Sequence, residues 1–207
     1  MNIGILGSGN VGATLGERWA KLGHHVYFSS REPEKLKDVV ARAGATAHAA
    51  SVADAVRAAE VVVVSLPWSA VKGVLESLDL REKIVFDCTN PLLPDLSGVE
   101  LGTTTSAGEK VAGWARGAKV VKIFNTTGYN NMAHPDYRGT AASMFYCGDD
   151  AQAKETARRL AAELGFDPVD SGPLTHARFL EPMAVLWIWL AMKGGRGRDI
   201  AFRLLTR

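Results

Sequence analysis

The chain has 207 residues, a net charge of +2 from 24 basic and 22 acidic side chains, and 47% hydrophobic residues. That length accommodates one well-cored domain with a small appendage, and the mixed charges form no basic stripe, which argues against nucleic acid as a partner. Its two cysteines, Cys88 and Cys147, lie in apolar strand-like runs and are expected as buried thiols, not as a disulfide, metal site or nucleophile.

A short apolar strand over Ile3, Ile5 and Leu6 runs into Gly7-Ser8-Gly9-Asn10-Val11-Gly12. A helix follows from about Val11 to Leu22. A second strand from His25 then ends in Ser29-Ser30-Arg31. Strand, GxGxxG turn, helix and strand in this order form a dinucleotide-binding signature. Gly7 allows the tight turn, Gly9 lets a pyrophosphate approach the backbone, and Gly12 lets the helix pack on the strand. The helix would aim its free amides and positive dipole end at the phosphates. An NAD site places Asp or Glu after the second strand to bond the ribose 2′-OH. Here Ser30 and Arg31 stand there, with Lys35 a turn further on. A hydroxyl, a guanidinium and an ammonium suit a 2′-phosphate, so NADP(H) is the expected cofactor. Glu32 and Glu34 fit the start of the next helix, with Pro33 in its first turn.

The alternation continues. A weak strand is expected at Thr46 to Ala49 and a helix at Ser51 to Ala59. Val61 to Val64 is wholly apolar, as a strand buried on both faces is. Pro67 is expected to start a helix reaching Leu78. A strand over Lys83 to Cys88 leads to Thr89-Asn90-Pro91 and a loop. A helix over Ser106 to Trp114 precedes a strand over Lys119 to Phe124, which ends in Asn125-Thr126-Thr127-Gly128. A polar connection leads to a strand at Ser143 to Cys147, expected to be antiparallel. Asp149 and Asp150 cap a helix to about Leu164, and a last strand lies near Pro168 to Asp170.

Such alternation predicts a doubly wound, mostly parallel α/β sheet over residues 1–171, with residues 172–207 as a helical appendage. In that appendage one apolar helix is expected over Leu174 to Lys193, kinked or begun at Pro182, and a short amphipathic helix to Leu205. Trp187 and Trp189 fall on different sides of the long helix. Ligands in doubly wound sheets bind beyond the carboxyl ends of the strands. Five clusters should therefore meet around one cleft: Gly7 to Gly9, Ser29 to Arg31, Ser65-Leu66-Pro67-Trp68, Thr89 to Pro91, and Asn125 to Thr127.

These motifs resemble those of the coenzyme F420-dependent NADP oxidoreductases and the cytosolic reductase domain of the STEAP metalloreductases, across nearly the whole chain. The residues that carry the resemblance are Gly7 to Gly12, Ser30-Arg31, Leu66-Pro67-Trp68, Lys119 to Thr126, Cys147 to Asp150 and Asp170 to Pro173. The resemblance implies a Rossmann fold and a role for each cluster. Gly7, Ser8, Gly9, Asn10, Val11 and Gly12 would hold the pyrophosphate. Ser30, Arg31 and Lys35 would hold the 2′-phosphate. Ser65, Leu66, Pro67 and Trp68 would line the ribose and phosphate path. Asn90, Pro91, Asn125 and Thr126 would border the nicotinamide. The deazaflavin-side rim departs from the family, with Asn90-Pro91-Leu92-Leu93-Pro94 in place of a Val-Pro stretch and Asn125 at the position of a histidine.

The leading expectation is an NADP(H)-dependent oxidoreductase passing hydride to a planar flavin-like or F420-like acceptor. Because only residues 172–207 follow the sheet, the acceptor is expected to stack on the nicotinamide inside the cleft, where positioning supplies most of the rate and no protein acid is required. The alternatives are an NADPH-dependent reductase of a small carbonyl or imine and an NADPH-binding sensor without turnover. Asn125 and His134 are weak catalytic candidates, and no metal site is expected. A cytoplasmic protein is expected because no signal peptide is visible and the longest apolar stretch is too short to span a bilayer. The apolar tail helix is a candidate homodimer surface.

Overall fold

A computed structural model of the chain describes residues 1–30 and 32–207. Its first half runs β1 (Asn2–Leu6), α1 (Asn10–Lys21), β2 (His25–Ser29), α2 (Lys37–Ala43), β3 (Ala47–Ala50), α3 (Val52–Ala58), β4 (Val61–Val64) and α4 (Trp68–Leu75). The second half runs β5 (Ile84–Asp87), α5 (Ala107–Trp114), β6 (Lys119–Lys122), α6 (Tyr129–Ala133), β7 (Ser143–Gly148), α7 (Ala151–Glu163), β8 (Asp167–Asp170) and α8 (Ala177–Met192). The strands form one sheet in the order β3-β2-β1-β4-β5-β6-β7-β8. Every neighbouring pair is parallel except β6 with β7, which is antiparallel as expected.

The order reverses between β1 and β4, so the loops after these strands diverge and leave a crevice at their carboxyl ends. The four valines of β4 are 0% exposed because the pleat sends them alternately to two cores. Val61 and Val63 join Ile3, Ile5, Phe28 and Trp19 on one face of the sheet. Val62 and Val64 join Leu6, Val71, Leu75 and Val111 on the other. Leu174, Ala177 and Leu180 belong to that second core, so the start of the C-terminal segment packs on the same face.

Four expectations are corrected. α4 stops at Leu75, short of Leu78, because the chain tightens there: the Ser77 hydroxyl donates to Val74 O (2.7 Å) and Leu78 N to Leu75 O (3.2 Å). The connection after β6 contains a helix, α6, that its run of asparagines hid. Pro182 lies inside α8, which begins upstream at Ala177. The amphipathic helix expected to end at Leu205 is not formed, and no regular structure follows Met192. Backbone groups of that tail bond outward instead. Ser143 N donates to Phe202 O (2.9 Å), and Leu204 N donates to the Ser143 hydroxyl (3.0 Å).

Among the described residues no helix is long and apolar enough to cross a membrane, and no cluster of His, Cys, Asp or Glu could hold a metal ion.

Candidate functional site

The turn after β1 is shaped by three glycines with different duties. Gly7 has φ +99°, and a Cβ there would lie 2.7 Å from Ser65 O. A Cβ on Gly12 would lie 2.0 Å from Gly7 O, so this glycine is what lets α1 approach the strand. A Cβ on Gly9 would meet nothing within 4 Å. Gly9 faces open space, and it is also the N-cap of α1, with no side-chain cap and no acid in the first turn. The helices α3, α5 and α7 are capped by Ser51, Ser106 and Asp150. The first amides of α1 are thus left for an anion from outside.

Three hollows join along the carboxyl edge of the sheet. The first, about 500 Å³, is lined by Gly7, Ser8, Ser29, Ser30, Lys35, Leu66 and Pro67, among others, with no carboxylate among its described lining residues. The second, about 350 Å³, shares Leu66 and Pro67 and adds Val11, Ser65, Trp68, Cys88, Thr89, Asn90 and Leu92. The third, about 310 Å³, shares Val11, Asn90 and Leu92 and adds Asn125, Thr127, Gly128, Tyr129, Trp187 and Arg198, among others. The five strand-end clusters therefore supply residues to one continuous groove. Arg31 lies outside the described residues.

At the first hollow Ser29 is held inward, its hydroxyl donating to Ile5 O (2.7 Å). Ser30 Oγ accepts from Glu32 N (3.1 Å). Lys35 Nζ pairs with Glu32 Oε2 at 2.7 Å, and both side chains are more than half exposed. Such an exposed pair contributes little and exchanges readily.

At the far end Asn90 and Asn125 hold each other. Asn90 Nδ2 donates to Asn125 O (2.9 Å), and Asn125 Nδ2 donates to Asn90 Oδ1 (3.0 Å) and Leu180 O (3.1 Å). The chain reaches this geometry through Phe124, a non-glycine residue at φ +60°. That conformation costs about 1–3 kcal/mol and is held by burial, with the Phe124 ring edge-on to Trp19 at 5.6 Å. Trp68 leans on Trp114 at 5.2 Å. Pro91 and Thr126 are buried beside the rim without lining a hollow, and Thr127 takes the wall position instead. His134 is exposed at the end of α6, away from all three hollows.

Behind this rim lies a group of buried charges: Asp87 reads from sequence as a strand-end carboxylate that tunes the site or bonds a neighbouring amide, whereas its partners Lys122 and Glu181 do not stand out. Asp87 and Lys122 are register partners at the last positions of β5 and β6. Lys122 Nζ lies 2.9 Å from Asp87 Oδ2 and 3.0 Å from Glu181 Oε1, and the three side chains are at most 1% exposed. The third ammonium proton goes to Thr89 O. Asp87 Oδ1 accepts from Thr89 N (2.9 Å) and the Thr89 hydroxyl (2.7 Å). Glu181 also accepts from the first amides of α5, Ala107 N (2.9 Å) and Gly108 N (3.0 Å). The network thus joins β5, β6, α5 and α8 with each charge satisfied. Burial alone would lower the Lys122 pKa, but the two carboxylates outweigh it and the net direction is up. The available signal was a lysine in a central strand beside an aspartate at the same strand end.

Both cysteines are free and buried. Burial raises the pKa of each thiol, that of Cys147 to about 12, so neither is a thiolate nucleophile near neutral pH.

Residues 2–91 match the family model described as NADP oxidoreductase, coenzyme F420-dependent. The F420-dependent NADP reductase of Methanothermobacter thermautotrophicus is 27% identical over 99% of this chain and 94% of its own length. The rat metalloreductase STEAP3 is 30% identical over 90% of this chain, which spans only 37% of that protein. A crystal structure from Arthrobacter sp. FB24, carrying a provisional F420-dependent NADP-reductase name, superposes with a TM-score of 0.90 at 30% identity, covering all of both chains.

Proposed function

The chain belongs to the coenzyme F420-dependent NADP oxidoreductase family, and from that premise we propose that it transfers hydride between NADP(H) and a planar flavin-like or deazaflavin-like acceptor. The observation that carries this reading is the continuous groove. One end offers Ser30 and Lys35, whose exposed pair with Glu32 would exchange for a phosphate, and the other opens into a mostly apolar cavity. On this reading the uncapped amides of α1 and the open face of Gly9 receive the pyrophosphate. Ser30, Lys35 and Arg31 hold the 2′-phosphate, where a carboxylate would repel it. Ser65 to Trp68 carry the path between them, and Val11, Asn90 and Asn125 border the ring.

When bound in the groove, NADP(H) would supply or take the hydride. The residues of the groove would hold the two reacting rings together. The cavity wall contains no Asp, Glu, His, Lys or Cys among its described residues. That suits a ring-to-ring transfer, whose rate comes from orientation and needs no protein acid. Tyr129, on the same wall, is the one feature that favours the second reading, reduction of a small carbonyl or imine with a phenol as proton donor.

Anaerobic stopped-flow mixing of the NADPH-loaded protein with F420, FMN, FAD and riboflavin tests the assignment. NADPH oxidation by at least one of these rings is expected. Oxidation only by members of a carbonyl and imine panel would transfer the assignment to the second reading. Binding of NADPH with oxidation by neither set would mark a sensor.

A further inference from the structure

The third hollow contains a single charged side chain among its described lining residues, Arg198. The rest of its wall is apolar or neutral, led by Leu92, Trp187, Ile188 and Met192. Arg198 stands in a stretch without regular structure, just after Gly195 and Gly197, whose φ values are +69° and +74°. Its main chain is nevertheless held firmly. Asn130 Nδ2 and Asn131 Nδ2 both donate to Arg198 O, at 2.9 and 3.1 Å. Asn130 Nδ2 also donates to Asp199 Oδ1 (2.9 Å), so the neighbouring carboxylate is turned toward an amide. Asn131 Nδ2 and Trp187 Nε1 donate to Ile200 O at 2.8 and 2.7 Å. Asn131 is only 2% exposed. Two helices thus commit three side chains to fixing the backbone at and just after this arginine. Arg198 is exposed, and among the described residues no carboxylate pairs with its guanidinium, as is also true of Arg116, Arg138, Arg196 and Arg207; what sets Arg198 apart is that it lines the cavity.

We propose that Arg198 is the anion anchor of the acceptor cavity. The ring that fills the apolar part carries an oxyanion, phosphate or carboxylate, at its outer end, and the guanidinium engages it with two parallel hydrogen bonds. This rests on the groove being the NADP(H) and acceptor site. A lone cation on the wall of an otherwise neutral cavity, carried on an anchored main chain, selects ligands by charge, while the apolar walls accept the ring.

FMN and riboflavin share one ring system and differ by a phosphate; 10-carboxymethylflavin places a carboxylate on the same ring. Their dissociation constants are measured on the NADP-saturated protein by fluorescence titration, for wild type, Arg198→Gln and Arg198→Lys, with circular dichroism as a fold control. At least one anionic flavin should bind the wild type ten or more times tighter than riboflavin, and the tighter of the two identifies the oxyanion. Arg198→Gln should remove that preference and leave riboflavin unchanged, and added salt should weaken only the anionic flavin. Arg198→Lys should keep part of the preference. Equal binding of all three flavins by the wild type, binding of none, or an undiminished preference in Arg198→Gln would overturn the inference. NADPH affinity is measured on the same preparation. Its absence would overturn the functional reading itself, whereas NADPH binding without charge discrimination overturns only the role of Arg198.

Discussion

Asp87 and Lys122 end two neighbouring parallel strands in register, and their side chains meet at 2.9 Å with neither exposed to solvent. Glu181, from α8, closes the network from the other side at 3.0 Å. Breaking such a cluster by removing one partner strands the remaining charges. Lys122→Met should therefore destabilise the fold by about 3–5 kcal/mol, read as a lowered urea midpoint. The pKa of Lys122 is raised above its ordinary 10.5 in the fold. Its stabilising contribution is thus fully present below about pH 10.5 and lost as the pH climbs through the raised value. Wild type should lose stability in that alkaline range, and Lys122→Met should lack this component.

Gly12 and Gly9 should separate on substitution. Gly12→Ala drives a methyl against Gly7 O and Ile5, and should cost several kcal/mol or prevent folding. Gly9→Ala meets open space, so it should cost less than about 1 kcal/mol. It should nevertheless weaken NADPH binding at least tenfold, because the methyl projects where the pyrophosphate is proposed to lie. Thermal melts and NADPH titration of the two variants check both halves.

Gly128→Ala probes the acceptor cavity in the same way. A Cβ there would come within 2.6 Å of the Trp187 ring and of Asn130 Oδ1. The variant should bind NADPH within about twofold of wild type, after a stability loss of about 1–3 kcal/mol, but should require more acceptor for half-maximal rate. Steady-state kinetics with acceptor varied at saturating NADPH shows the split.

Iodoacetamide at pH 8 should label neither Cys88 nor Cys147 in the native protein and both after unfolding. Burial both shields them and keeps their pKa values high, at about 12 for Cys147. Mass spectrometry of the native sample reads the outcome directly.

The parts legible in the sequence were those where one local rule suffices. The strand-turn-helix-strand opening and the four valines of β4 follow from glycine placement and from an apolar run of strand length, and the antiparallel β7 from the long connection before it. The strand-end residues on the groove were readable too, because a doubly wound sheet brings its strand ends together, whereas its wall from α6 and α8, with Tyr129, Ala184, Trp187 and Ile188, was not. Less legible were features decided by distant partners. Lys122 reads as one polar residue in a strand until Asp87 and Glu181 are placed beside it. The tail after Met192 has helical spacing, but Asn130, Asn131, Trp187 and Ser143 capture backbone groups over Arg198 to Leu204. α6 was hidden because its asparagines look like a loop, whereas Asn131 is spent on holding that tail.

NADP(H) in the groove is proposed to place its 2′-phosphate at Ser30, Arg31 and Lys35. Equilibrium titration with NADPH and NADH, for wild type and the Arg31→Ala/Lys35→Ala double variant, tests this most directly. Wild type should prefer NADPH by at least tenfold, consistent with charge-assisted hydrogen bonds of about 1.5–3 kcal/mol. The double variant should bring the two affinities close together by weakening NADPH alone. Equal affinities in the wild type, or an unchanged preference in the variant, would contradict it.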